Sequence, residues 1–256
     1  MVLTDTHTHL YANQFSDDRE SIIAEANKNS VSRLFLPNID EESVEGMLAL
    51  VEKYPNQCFP MIGLHPCSVK SNWKEVIASF EDIFKQHTFY AIGEIGIDLY
   101  WDKTYIKEQQ EAFAYQIEWA KKEKLPIVIH ARDSFDEIFE IVDELNDESL
   151  TGIFHCFTGT ISQAEHIMNY GGFKMGIGGV LTFKNSGLDK VIENIPLEHL
   201  VLETDAPYLA PHPYRGKRNE SSYLKIIAHK LADIKQVTIE EVAEITTENS
   251  KQIFGV

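Results

Sequence analysis

Two histidines one residue apart, His7 and His9, stand just beyond the apolar start of the chain. A carboxylate pair with the same spacing, Glu203 and Asp205, stands just beyond Leu200-Val201-Leu202. Residues i and i+2 on an extended chain point to the same side, so each pair can present two donor groups to one centre. Three further residues of the same chemical type close apolar runs: Glu94 after Ala91-Ile92-Gly93, His130 after Ile127-Val128-Ile129, and His155 after Ile153-Phe154. Taken singly, each could be a hydrogen-bonded core histidine or a carboxylate capping the next helix. Their recurrence at one depth relative to successive apolar runs points instead to a shared site. Imidazole nitrogens and carboxylate oxygens suit Zn²⁺ or Mn²⁺, with Mg²⁺ less comfortable beside imidazole, and the set is large enough for two divalent metal ions.

Such residues must be carried by elements that bring distant segments together. Short β-type runs alternate with helical patterns along the whole chain. The strand candidates are Val2-Leu3 running into His7, then 31–36, 59–64, 90–93, 126–129, 152–154, 173–177 and 200–202. Between them Val44, Met47, Leu48 and Val51, and likewise Ile138, Ile141, Val142 and Leu145, form single apolar stripes at helical spacing. Ser134 with Glu137 and Thr238 with Glu241 fit the capping-box pattern of a helix start. Strands joined by helical crossovers pair in parallel, and closure removes the two exposed edges of an open sheet. The expected fold class is therefore α/β, a TIM (β/α)8 barrel, formed as a single domain over residues 1–256, with an open doubly wound sheet as the rival. In such a barrel strands one and eight are neighbours, and strand-end residues converge on the C-terminal face, where the active site lies.

Charge narrows the choice of substrate. A net charge of −17 repels polyanions at long range, so any contact with nucleic acid has to be local. The three cysteines, Cys58, Cys67 and Cys156, show no C-x-x-C spacing, so neither a disulfide framework nor a thiolate zinc site is expected. The first residues lack the basic and apolar regions of a secretory signal, and no apolar run approaches membrane-spanning length. A reducing cytoplasmic location, no membrane association and no obligate protein partner are the corresponding expectations.

Six segments together carry a resemblance to the TatD family of metal-dependent deoxyribonucleases, within the amidohydrolase superfamily. They are Asp5-Thr-His-Thr-His-Leu10, Gly63-Leu-His-Pro66, Gly93-Glu-Ile-Gly-Ile-Asp98, Ile129-His-Ala-Arg-Asp133, His155-Cys-Phe-Thr-Gly159 and Glu203-Thr-Asp-Ala-Pro-Tyr208. Gly216-Lys-Arg-Asn-Glu220 and the ending Thr247–Phe254 extend it nearly end to end. The resemblance implies that His7, His9, Glu94 and Asp205 hold one metal and that Glu94, His130 and His155 hold the other, with Glu94 bridging. It implies phosphodiester cleavage of DNA as single strands or ends. Asp205 would orient or deprotonate the attacking water, Glu203 would act from behind a ligand or at the substrate, and His65 would hydrogen-bond a phosphate oxygen or the leaving group. Arg132 and the group Arg215, Lys217 and Arg218 are the cations expected near the mouth, and Tyr100 and Trp101 are candidates for stacking a base. The chain departs from the family pattern at Cys67, where a second histidine is usual, and at Ser221, where proline is usual. Cys156 is expected to turn away from His155 and to be buried. The alternative is hydrolysis of another ester or an amide on the same site, such as an aminoacyl-tRNA linkage or a small-molecule phosphoester. A groove with cations and an exposed aromatic would favour nucleic acid, and a closed apolar pocket a small substrate.

Overall fold

A computed structural model describes residues 1–256. Eight strands run in sequence order: β1 (Leu3–Asp5), β2 (Val31–Pro37), β3 (Cys58–Met61), β4 (Ile92–Asp98), β5 (Ile127–Arg132), β6 (Gly152–Phe154), β7 (Phe173–Ile177) and β8 (Leu200–Leu202). All neighbouring pairs are parallel, in the order β1-β2-β3 and β4-β5-β6-β7-β8. Single parallel bridges join the two groups at both seams, Ile62 with Ile92 and Thr8 with Ala206. Backbone hydrogen bonds Gly93 N–H to Ile62 O (2.9 Å) and Asp205 N–H to His7 O (2.9 Å) complete the ring. The TIM barrel expected from the strand rhythm is thus formed, with strands one and eight side by side.

Helices α1 (Arg19–Lys28), α2 (Glu41–Lys53), α3 (Trp73–Phe84), α4 (Ile106–Glu123), α5 (Phe135–Leu145), α6 (Ile161–Asn169), α7 (Leu188–Glu193), α8 (Leu224–Lys235) and α9 (Ile239–Phe254) follow the strands. Strand alternation divides the apolar residues into two layers. Ile127 and Ile129, like Leu34 and Leu36, belong to the large core between the ring and its helices. Their neighbours Phe35, Val128, Ile153 and Val201 belong to a second cluster inside the ring, joined by Ile253 and Phe254 at the end of α9. Phe254 stacks on Phe35 with ring centroids 3.9 Å apart, closing the bottom of the barrel. No helix is long and apolar enough to cross a membrane.

Some expected local features differ. Thr238 does cap α9, accepting from Glu241 N–H. Ser134 does not cap α5: its hydroxyl instead donates to Ile97 O (2.6 Å), fastening the end of β5 to β4. Complete capping boxes form at Asp40 with Ser43 and at Thr160 with Gln163. Strands β4 and β5 continue past the apolar runs that announced them, so Glu94 and His130 lie within strands rather than after them.

Candidate metal centre

The inward face that carries Val128, Ile153 and Val201 carries, two residues further along each strand, His130, His155 and Glu203. Alternation alone thus delivers these three to the C-terminal end of the ring. Glu94 does not follow the same rule. Ala91 faces the inner cluster, so strict alternation would turn residue 94 outward; a register shift prevents this, Gly93 pairing with Val128 and Ile95 with the next residue, Ile129. The bulge leaves Glu94 out of the ladder and aims its carboxylate at the centre. At β8 the chain turns sharply: Asp205 has a left-handed backbone (φ 57°), which aspartate tolerates better than most residues. Buried Asp5 secures this turn by accepting from Thr204 N–H (2.9 Å) and Thr204 Oγ1 (2.7 Å), and Asn219 Nδ2 donates to Thr204 O and Tyr208 O.

Glu94 is the hub. Its Oε2 lies 3.1 Å from His7 Nε2 and 3.8 Å from His9 Nε2, while Oε1 lies 2.8 Å from His130 Nδ1 and 3.4 Å from both His155 Nε2 and His65 Nε2. Asp205 Oδ1 is 3.4 Å from His9 Nε2 and 3.9 Å from His7 Nε2. Every candidate ligand named from the sequence therefore meets in one cluster, and the two oxygens of Glu94 face different groups of histidines.

Hydrogen bonds at the far side of each ring determine what the near side offers. Tyr11 Oη donates its only proton to Pro37 O (2.6 Å), so at His9 Nδ1 (2.8 Å) it can only accept. His9 therefore carries its proton on Nδ1 and turns a bare Nε2 toward Glu94 and Asp205. His130 Nε2 donates to Asp98 Oδ2 (2.9 Å), leaving Nδ1 to face Glu94. At His155, Nδ1 faces Glu203 Oε1 (2.9 Å) and Nε2 faces the hub. The bare Nε2 of His9 thus points at carboxylate oxygens, an arrangement that a cation must relieve, while His130 sits between two carboxylates whose hydrogen bonds raise its pKa against the opposing effect of burial. The donor set fits divalent metal ions, which use neutral imidazole and carboxylate oxygen.

His65 differs. Its Nδ1 accepts from Cys67 N–H (3.1 Å), which places the ring proton on Nε2, and burial lowers its pKa and favours the neutral ring. Although distance groups it with Glu94 and His130, the atom it presents is an N–H donor rather than a lone pair.

The electrostatics follow the same geometry. Burial opposes the charge of Glu94, but His65, His7 and His155 overcome it and hold the carboxyl well below its ordinary range. Burial likewise opposes the charged form of His155, yet Glu203 and Glu94 push its pKa up to about 10. Asp98, opposed by its own burial, is lowered to about 2 by His130 and by the backbone N–H groups of Trp101 and Tyr100.

The cluster floors a cavity of about 510 Å³. His9, His65, Glu94, His130, His155 and Asp205 form the floor, and Ile39, Cys67, Trp101, Arg132, Tyr208 and Leu209 form much of the wall. Glu203 does not line it: the carboxylate is fully buried, accepts from Cys156 N–H (2.6 Å) and lies over Gly176, where a Cβ would come within 2.0 Å of Oε2. Its contacts run to His155, not into the cavity.

Of the expected mouth cations, only Arg132 reaches this cavity, its guanidinium 4.0 Å from the Tyr100 ring centroid and 5.5 Å from that of Trp101. Arg218 is held by Asp18 in a bidentate pair and by Glu220. Arg215 lies over Phe183 in a separate cleft, and Lys217 beside Tyr214. Cys156 is only partly buried and adopts a left-handed backbone (φ 47°), its N–H serving Glu203; all three cysteines are free. Asp98, Tyr11 and Asn219 were assigned no role from sequence. Tyr11 continues the i, i+2 series of His7 and His9, a signal that was available, whereas Asp98 was hidden by the expectation that its strand ended at Gly93.

A parallel β/α barrel with histidines and carboxylates converging at its C-terminal mouth is the architecture of a metal-dependent hydrolase. The family model for TatD related DNase matches residues 4–255, and the chain belongs to that family. It is 40% identical over 256 residues, covering all of both chains, to YabD of Bacillus subtilis (strain 168), an uncharacterized metal-dependent hydrolase. It is 28% identical over 257 residues, 98% of each chain, to the 3'-5' ssDNA/RNA exonuclease TatD of Pectobacterium carotovorum subsp. carotovorum (strain PC1). Among solved structures, the TatD homolog YjjV of Escherichia coli K12 superposes with a TM-score of 0.93 at 28% identity, covering 99% of this chain and 98% of that one.

Proposed function

We propose that this protein hydrolyses phosphodiester bonds in single-stranded DNA or at DNA ends, using two divalent metal ions. The observation that carries the reading is one cavity in which imidazole nitrogens and carboxylates lie beside a cation and exposed aromatic rings. Trp101 is 68% exposed and Tyr208 46%, so both rings are free to stack a base, and Arg132 can pair with a phosphate. His7, His9, Glu94 and Asp205 would hold one ion and Glu94, His130 and His155 the other. Bound there, divalent ions supply Lewis acidity that acidifies water and neutralises phosphoryl oxygens. Asp205, on the cavity floor, orients the attacking water and takes its proton. His65 presents Nε2–H to a phosphate oxygen or to the leaving group. Glu203 and Asp98 orient His155 and His130 from behind. The name of the Pectobacterium relative supports a nucleic-acid substrate.

The test is cleavage of an end-labelled single-stranded oligonucleotide by Mn²⁺- or Zn²⁺-reconstituted protein, beside Asp205→Ala and a chelator control. An aminoacyl-tRNA and a generic phosphodiester serve as competing substrates. Strand cleavage lost in both controls is the expected result. Ester or amide hydrolysis with inert DNA would transfer the site to another substrate.

A further inference from the structure

A second depression lies beside the mouth, and its lining is basic although the chain is acidic. It is a cleft of about 320 Å³ lined by Thr182, Phe183, Lys184, Asn185, His212 and Arg215, with no carboxylate among them. In a chain with 40 acidic and 23 basic residues, a recess free of acid that holds two fixed cations and a histidine is a local reversal of sign. Arg215 is also preset: its guanidinium sits 4.4 Å from the Phe183 ring centroid, which restrains its rotamers while leaving its N–H edge open. Arg218, three residues on, is instead consumed by Asp18 and Glu220.

The cleft is coupled to the metal cavity by the chain itself. Its two walls are the segments that follow β7 and β8, tied together by His212 N–H donating to Thr182 Oγ1 (2.8 Å). Gly179 lies so close under the second segment that a Cβ there would stand 2.0 Å from Leu209 O. Leu209 and Tyr208 are wall residues of the metal cavity, and His212 is three residues beyond Leu209, a reach of at most about 11 Å. We infer that this cleft is an anion subsite for a phosphate of the same nucleic-acid strand a short distance from the bond being cleaved. Lys184 and Arg215 neutralise that phosphate and Asn185 donates to it. Together with Arg132 and Trp101 on the opposite wall of the mouth, the subsite sets a track across the barrel face. A strand is then held by separated local cations despite the acidic whole.

This inference rests on the nuclease reading, and the experiment separates the two. Binding of a fluorescent single-stranded 12-mer is measured by anisotropy over a range of salt concentrations. Cleavage of the 12-mer and of a mononucleotide aryl phosphodiester, too short to leave the metal cavity, is measured with Mn²⁺. The proteins are wild type, Lys184→Ala/Arg215→Ala and the charge-preserving Arg215→Lys, all checked for unchanged melting. The double variant is expected to weaken 12-mer binding about tenfold, to lower the salt slope by roughly 0.7 per lost phosphate contact, and to raise KM for the 12-mer with kcat and the short diester unaffected. Arg215→Lys recovers most of the binding. Unchanged 12-mer binding and KM, or equal losses on the short diester, overturn the subsite and leave the nuclease reading standing. Wild-type protein that neither binds nor cleaves strands overturns both.

Discussion

The two ends of this barrel are built from the same inward-facing rows of the same strands, yet they do opposite things. At the bottom, Phe35, Val128, Ile153 and Val201 meet Ile253 and Phe254 in an apolar cluster, with the Arg33 guanidinium lying over the Phe35 and Phe59 rings. Two residues further along three of those strands, the rows become His130, His155 and Glu203. Burial at the bottom needs only apolar volume. Burial at the top leaves ionisable groups in a poorly solvated site, where each must find a counter-charge, a hydrogen bond or an ion. Stability should therefore respond mainly to the lower layer, and metal binding and turnover to the upper one.

The largest effect expected is from Glu94→Gln, which leaves both groups of histidines without their shared charge. Activity should fall by on the order of 10³-fold or more, with metal content dropping on elemental analysis. A metal-free protein that failed to fold would break the contrast between the two ends. At the bottom, Phe254→Ala removes a ring stacked on Phe35 and should cost about 3–5 kcal/mol in urea unfolding. Metal stoichiometry should stay at the wild-type value, and loss of metal at equal fold would show that the layers are coupled.

Asp98→Ala frees His130 Nε2 and lets the ring turn. Metal affinity, read by competition with a chromophoric chelator, should weaken by about 10–100-fold, with Asp98→Asn recovering part of it because its oxygen can still accept. Equal affinity in all three proteins would remove Asp98 from the centre.

The last effect concerns pH. Burial raises the Asp5 carboxyl from 3.8 to about 7. Between these values the folded state keeps a proton that the unfolded chain releases, so this contribution to stability is full below about 4 and is lost as pH rises through about 7. Asp5→Asn should flatten that part of the curve of urea stability against pH, and an unchanged curve would assign the slope to other groups.

Much of the site was legible because a metal centre at a barrel mouth draws donor residues from strand ends, and strand ends are marked by apolar runs. His7, His9, His130, His155 and Asp205 stood out for that reason. Glu94 stood out as well, although its direction depends on a bulge at β4 that no alternation pattern announces. Ser134 looked like a cap because its spacing to Glu137 fits one, but a nearby strand carbonyl competes for the same hydroxyl. The mouth cations misled in a similar way, since adjacency along the chain did not reveal that Asp18 had already taken Arg218.

What the sequence determined by itself was the periodicity and the residue types: a βα rhythm that must close on itself, and donors set at one depth along it. Local spacing is enough for that, because strand alternation and helical stripes are properties of neighbouring residues. Only the tertiary structure decided which nitrogen of each imidazole faces the centre. That choice is made by Tyr11, Asp98 and the Cys67 amide, partners on the far side of each ring, and it separates His9, which offers a lone pair, from His65, which offers a proton. For His9 the deciding partner, Tyr11, is itself fixed by a carbonyl 26 residues away, and a tautomer settled across such a gap leaves no mark on the spacing of the sequence.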